Sequence, residues 1–136
     1  MTETLNEMAV WIDGEEARVF HVGADGFDEA KVSAPKHHVH RHPKDEETRI
    51  RNHPDDEHRF FHAVGQTLEG ATAILLMGPS VTKLRFLRYL QKNVPAVEAN
   101  VVGIETADHP TDRQLVAHVK TYFHTPPRRI EQLGKR

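Results

Sequence analysis

Ala71-Thr72-Ala73-Ile74-Leu75-Leu76-Met77-Gly78-Pro79-Ser80-Val81-Thr82-Lys83-Leu84-Arg85-Phe86-Leu87-Arg88-Tyr89-Leu90 decides the fold, because its period changes in the middle. From Ala71 to Met77 it is an apolar run bounded by Gly78-Pro79, as expected of a central strand covered on both faces. From Val81 to Asn93 the spacing becomes helical. Leu84, Leu87 and Leu90 are expected towards the core, and Lys83, Arg85, Arg88 and Lys92 largely outside it. Val101-Val102-Gly103-Ile104 then reads as another buried strand, so two strands flank a helix and form a parallel pair.

The pattern extends in both directions from this unit. Upstream, Asp55-Asp56-Glu57 place negative charge at the start of a helix, with Phe60, Phe61, Val64 and Leu68 on one face and Gly70 as its stop. Downstream, Pro110 to Phe123 reads as a helix with Pro110 in its first turn and Leu115, Val119 and Phe123 inward. At the N-terminal side, Met8 to Ile12 and Ala17 to Val22 flank the turn dipeptide Asp13-Gly14 and read as a hairpin. After Asp25-Gly26, Phe27 to Val32 supplies a third, more polar strand nearer an edge. The order is βββαβαβα, an α/β arrangement with a mixed five-stranded sheet and helices on its faces. That is the layout of an RNase H-like domain.

At 136 residues the chain is long enough for one core, expected over residues 1–124, with a basic tail at 125–136. Hydrophobic residues are 38% and charged residues 28%, and the net charge of −2 excludes a broadly basic polyelectrolyte, so any anion contact must be local. The absence of cysteine removes disulfides and thiolate metal sites. Met1 to Glu7 is acidic and polar, without the basic start and apolar stretch of a signal peptide. The Ala71–Met77 run is too short to cross a bilayer, so the cytoplasm is the expected compartment and no membrane partner is expected.

Residues 34–54 break the apolar periodicity, and prolines at 35, 43 and 54 enclose a His-rich arm. Five of the eleven histidines lie between His37 and His53. A connection of about twenty residues inside a small domain points to function or disorder. Its Lys36, Arg41 and His42 suit contact with phosphates, as do Lys83, Arg85, Arg88 and Lys92 and the tail residues Arg128 and Arg129. His38, His40 and His42 alternate, and an extended chain would put them on one side, where Zn²⁺ or Ni²⁺ could bind. His58 and His62 add an i, i+4 pair on the next helix. A metal-binding protein or metallohydrolase is therefore the competing class to an RNA binder. Gly78, Pro79 and Ser80 set a helix start whose amides, assisted by Lys83, could meet an anion, though without the repeated glycines of a phosphate loop.

A two-metal nuclease would need converging carboxylates, for which Asp13, Glu57 and Asp108 or Asp112 are available. The end of the Ala71–Met77 strand offers none, and Asp13 is explained as a turn residue. Phe27–Val32, if at an edge, could pair with a second copy as a homodimer.

The Ile74–Leu90 stretch resembles the strand, Gly-Pro-Gly turn, Lys and Phe pattern of the middle domain of Pelota and class-one release factors, with Ser80 in place of the second glycine. Trp11-Ile12-Asp13-Gly14-Glu15-Glu16-Ala17-Arg18-Val19-Phe20 resembles that domain's first hairpin. The chain also resembles small bacterial translational machinery proteins in His37-His38-Val39-His40-Arg41-His42-Pro43 and in Glu105-Thr106-Ala107-Asp108-His109-Pro110-Thr111-Asp112. The resemblance covers residues 8 to 124 and implies an RNase H-like fold and association with the ribosome or tRNA. Release factors present Gly-Gly-Gln from a long loop of this domain. Here residues 34–54 occupy that place without it, and Val64-Gly65-Gln66 falls inside a helix. Peptide release is therefore not expected, and the expectation is a non-catalytic, translation-associated protein that binds ribosome or RNA, without a required cofactor.

Overall fold

The computed structural model describes residues 6–22, 27–35 and 54–124. The strongest organising feature is β1 (Glu7–Ile12), whose last five residues are all buried. It pairs antiparallel with β2 (Glu16–Val22) through the Asp13-Gly14 turn, and β2 pairs antiparallel with β3 (Phe27–Ser33). On its other side β1 pairs in parallel with β4 (Ala73–Gly78), which pairs in parallel with β5 (Val101–Thr106). The sheet order is β3-β2-β1-β4-β5, and the expected mixed five-stranded sheet is formed. The helices are α1 (Pro54–Thr67), α2 (Thr82–Asn93), a single turn α3 (Pro95–Glu98) and α4 (Asp112–His124).

Side chains alternate across a strand, so a continuously apolar strand needs a cover on each face. Met8, Val10, Ile12, Ile74 and Leu76 point to one face, where Phe60, Phe61, Val64 and Leu68 of α1 pack with Phe86, Tyr89 and Leu90 of α2. Ala9, Trp11, Phe20, Leu75 and Met77 point to the other, against Leu115, Val116 and Val119 of α4. The α1 face is the one expected from its spacing. In α4, Leu115 and Val119 are buried as expected, while Phe123 is half-buried.

Three expectations are corrected. Residues 101–104 do not form a strand covered on both faces: β5 is the last strand of the sheet, and Val102 and Ile104 are 54% and 41% exposed. An apolar run reads the same whether one or both of its flanks are paired, which is why sequence could not separate the cases. Helix α2 is turned from its expected phase. Lys83 is buried and Leu84 is 49% exposed, because the inward face runs through Phe86, Tyr89 and Leu90. Large aromatic side chains fill the space against α1 and set the rotation, with Phe61 and Phe86 edge to face at 5.3 Å. Helix α4 starts later than Pro110. Thr111 caps it, its hydroxyl accepting from Gln114 N at 3.1 Å while the Gln114 side chain accepts from Thr111 N at 2.9 Å, a reciprocal capping box.

The fully exposed character of most of β3 agrees with an edge position. Phe27 is its one exposed large apolar residue, and Asp28, Glu29 and Lys31 are charged and exposed, so the described residues give no support to pairing with a second copy. The His-rich arm from 36 to 53 and the tail at 125–136 lie outside the described residues.

Gly78 closes β4 where its backbone passes the end of β1, and a Cβ there would overlap the carbonyl oxygen of Ile12. The clash is with backbone, which cannot swing aside. Gly14, by contrast, has open space around it. Gly78→Ala is therefore expected to lower stability by about 1–3 kcal/mol. Gly14→Ala should stay within about 0.5 kcal/mol of the parent. Urea denaturation midpoints compare the two.

Candidate functional site

The outer side of α2 carries the densest set of cations among the described residues. Arg85, Arg88 and Lys92 recur at i, i+3 and i+7 and share one helical face. Arg85 reaches across to α1, where Nε and Nη2 both donate to Glu57 Oε2 at 3.1 and 2.7 Å. Arg88 and Lys92 make no ion pair among the described residues, and both are exposed. Between α1 and α2 lies a groove of about 700 Å³, with Phe61 and Tyr89 at its apolar base, Val81 and Leu84 on its wall, and these cations on its rim. His58 also lines it and stands edge to face on Tyr89 with ring centroids 5.1 Å apart.

Lys83 does not join this face. Its ammonium turns back and donates to the carbonyl of Ser80 at 2.7 Å, so it closes the Gly78-Pro79-Ser80 turn instead of projecting towards an anion. Helix α2 begins after Val81 with no side-chain cap, and the turn is held by strand contacts, with Ala107 N donating to Gly78 O at 3.0 Å. Gly78, Pro79 and Ser80 thus lead into α2, with the Lys83 ammonium engaged by the Ser80 carbonyl.

The carboxylates cast for a nuclease are each engaged locally. Asp13 Oδ1 accepts from the amides of Glu15 and Glu16 at 2.9 and 3.0 Å, as a turn residue does. Glu57 holds Arg85, and Asp112 accepts from Arg18 Nη1 at 2.7 Å. Asp108 Oδ1 lies 3.3 Å from His109 Nδ1, and its backbone carbonyl accepts from the indole N–H of Trp11 at 3.1 Å. No group of three or more His, Asp or Glu among the described residues is placed to hold a metal ion. His58 and His62 are both exposed on α1, and His38, His40 and His42 lie outside the described residues, as do Lys36, Arg41, Arg128 and Arg129.

Sequence reading missed the groove itself. Its signal was available in the competing face Phe86-Tyr89-Leu90, which leaves Leu84 outside once the aromatic residues are taken as core. Also missed was the role of Arg18, whose guanidinium lies 4.4 Å from the Trp11 ring centroid and donates to the Pro110 carbonyl as well as to Asp112. Val64-Gly65-Gln66 lies within α1, with Gly65 buried against Leu90, so it is no exposed loop.

No protein-family model and no curated protein matches the chain. Among solved structures, the Pelota protein of Thermoplasma acidophilum is similar with a TM-score of 0.57 and 23% identity, covering 86% of this chain and 32% of that one. Pelota of Archaeoglobus fulgidus gives 0.52 and 15%, covering 89% and 35%. An archaeal translation termination factor gives 0.61 and 8%, again covering 89% and 35%. The chain therefore spans about a third of the length of each. The expected likeness to Pelota and release factors holds for the fold.

The strand ends beside Trp11 carry a pH signature. The hydrogen bond from Arg18 holds the Asp112 carboxyl below its ordinary value of 3.8. Partial loss of hydration beside Asp112 pushes the otherwise exposed Glu29 above 4.5, reinforced by its hydrogen bond to Asp112 and by that neighbour's charge. The two run in opposite senses. Stability from Asp112 is present above 3.8 and lost as pH falls through its lowered value, whereas stability from Glu29 is present below 4.5 and lost as pH rises through its raised one. In a Glu29→Gln background, which removes the opposing titration, Asp112→Asn is expected to cost about 0.5–1 kcal/mol at neutral pH, the partial exposure of Asp112 limiting the effect. In urea titrations repeated across pH the difference should begin to close as pH falls below 3.8 and vanish once Asp112 is protonated in the folded protein.

Proposed function

We propose that this chain is a non-catalytic, translation-associated protein that binds the ribosome or RNA through the outer face of α2, joined by the tail residues Arg128 and Arg129 and by Lys36, Arg41 and His42 of the arm. The observation that carries the reading is the exposed pair Arg88 and Lys92, one turn apart beside Arg85, with no ion pair among the described residues. Exposed cations one turn apart suit a polyanion, because each phosphate they meet releases condensed counterions. The net charge of −2 makes such a row a local feature and not a general property of the surface.

The fold supports the translation setting, since one of the structures it resembles is a translation termination factor. The lack of Gly-Gly-Gln in the sequence supports the non-catalytic part of the reading. Helix α2 is held over the sheet by Phe86, Tyr89 and Leu90 and presents Arg88 and Lys92 outward.

The test is co-sedimentation of the untagged protein with ribosomes across a salt series, for the parent and for Arg88→Glu combined with Lys92→Glu. Saturable binding is expected for the parent. The charge-reversed variant should flatten the logarithmic salt slope by roughly 1.5, about 0.7–0.9 for each lost contact. Absence of the parent from ribosomes even at low salt, or an unchanged slope in the variant, would overturn the reading.

A further inference from the structure

The cations of α2 account for only part of the groove. Val81 is 56% exposed and Leu84 49%, and they stand one turn apart on its wall. A chain that writes a large aliphatic residue at a solvent-facing position of a short amphipathic helix, beside a second one and over a concave apolar base, has a surface suited to being covered. We infer that this groove docks an acidic segment of a partner protein, which inserts apolar side chains against Val81 and Leu84 and sets carboxylates against Arg88 and Lys92.

The chemistry selects this occupant over others. A stacked nucleobase needs an open aromatic face, but Phe61 and Tyr89 are buried and engaged with Phe86 and each other. A small ligand needs convergent polar groups at the base of its pocket. Among the described residues the buried side-chain polar atoms without a hydrogen-bond partner are Asn6 Oδ1 and Arg18 Nε, and neither residue lines the groove. Of the chain's own segments outside the described residues, the two long ones carry the wrong sign, while 1–5 and 23–26 hold a single acidic residue each, too few for the two cations of the rim. Residues 36–53 hold five Lys and Arg against three Asp and Glu, and residues 125–136 hold four against one. A cationic rim repels them and attracts an acidic strand or helix supplied by another protein. An apolar wall with charge on one side is the form in which an amphipathic helix is held, its apolar residues three and four apart.

The inference goes beyond the ribosome or RNA contact proposed above, in which Arg88 and Lys92 take part and the apolar wall of Val81 and Leu84 does not. The test is selection from a displayed library of random peptides, each about four helical turns or roughly 15 residues long. The full-length parent, Leu84→Ser and Arg88→Glu serve as baits. Leu84 is half exposed, so the variants are expected to melt with the parent, and thermal melts check this. Peptides selected by the parent should be net acidic, with Leu, Ile, Phe or Trp at i and i+3 or i+4. By fluorescence anisotropy they should bind each variant at least tenfold more weakly. Failure to select such peptides, or equal binding to Leu84→Ser, would overturn the inference. So would binding of an oligouridine RNA that depends on Leu84, or self-association that depends on Leu84 in sedimentation. If Leu84→Ser still co-sediments with ribosomes while no acidic peptide is selected, the groove inference falls and the ribosome reading stands.

Discussion

The backbone of β4 passes the end of β1 so closely that only hydrogen fits at Gly78, and this approach lets the two central strands run in parallel to a common end. The rest of the molecule is arranged around that pair. Because both strands are apolar on both faces, each face must be covered, by α1 and α2 on one side and α4 on the other. The turn that leaves Gly78 then fixes where α2 starts. Lys83 is drawn back onto the Ser80 carbonyl, and the helix is clamped at its first turn with its later cations outward. The direction of the charged face is thus a consequence of sheet packing.

How much of this could be read in the sequence differs by element. The helical spacing of Phe60, Phe61, Val64 and Leu68 placed α1 and its buried face correctly, because four large apolar residues define a face without ambiguity. The apolar run to Met77 and the polar character of β3 likewise gave their positions in the sheet. The phase of α2 was not legible, since Leu84-Leu87-Leu90 and Phe86-Tyr89-Leu90 are both credible faces. The choice between them depends on ring packing against Phe61, a residue more than twenty positions away. The edge position of β5 was hidden for a similar reason, because what lies beside a strand is a property of the whole sheet.

For the candidate site the balance shifts. Arg85, Arg88 and Lys92 were legible as an outward row, whereas Lys83 was not separable from them until the Ser80 carbonyl was in place. The groove beside them has no sequence motif. It arises because Val81 and Leu84 face α1 across a gap that the aromatic residues beneath do not fill. Likewise Arg18 looked like one charge in a hairpin, yet stacking on Trp11 and bonds to Pro110 and Asp112 tie the second strand to the approach of the last helix.

The long-range closure between Asn6 and Thr72, 66 positions apart, has a consequence for how the chain can change. The stretch enclosed by that closure contains the connection between β3 and α1, where the His-rich arm sits. The entropy of closing a connecting segment grows only with the logarithm of its length, so doubling the arm would cost about 0.6 kcal/mol. Strand β5, by contrast, follows β4 through one helix and a single turn, with little slack. Variation in length is therefore cheap on the side of the arm and expensive on the side of α2. Selection can change the length of this connection while the framework that positions the cations of α2 stays fixed.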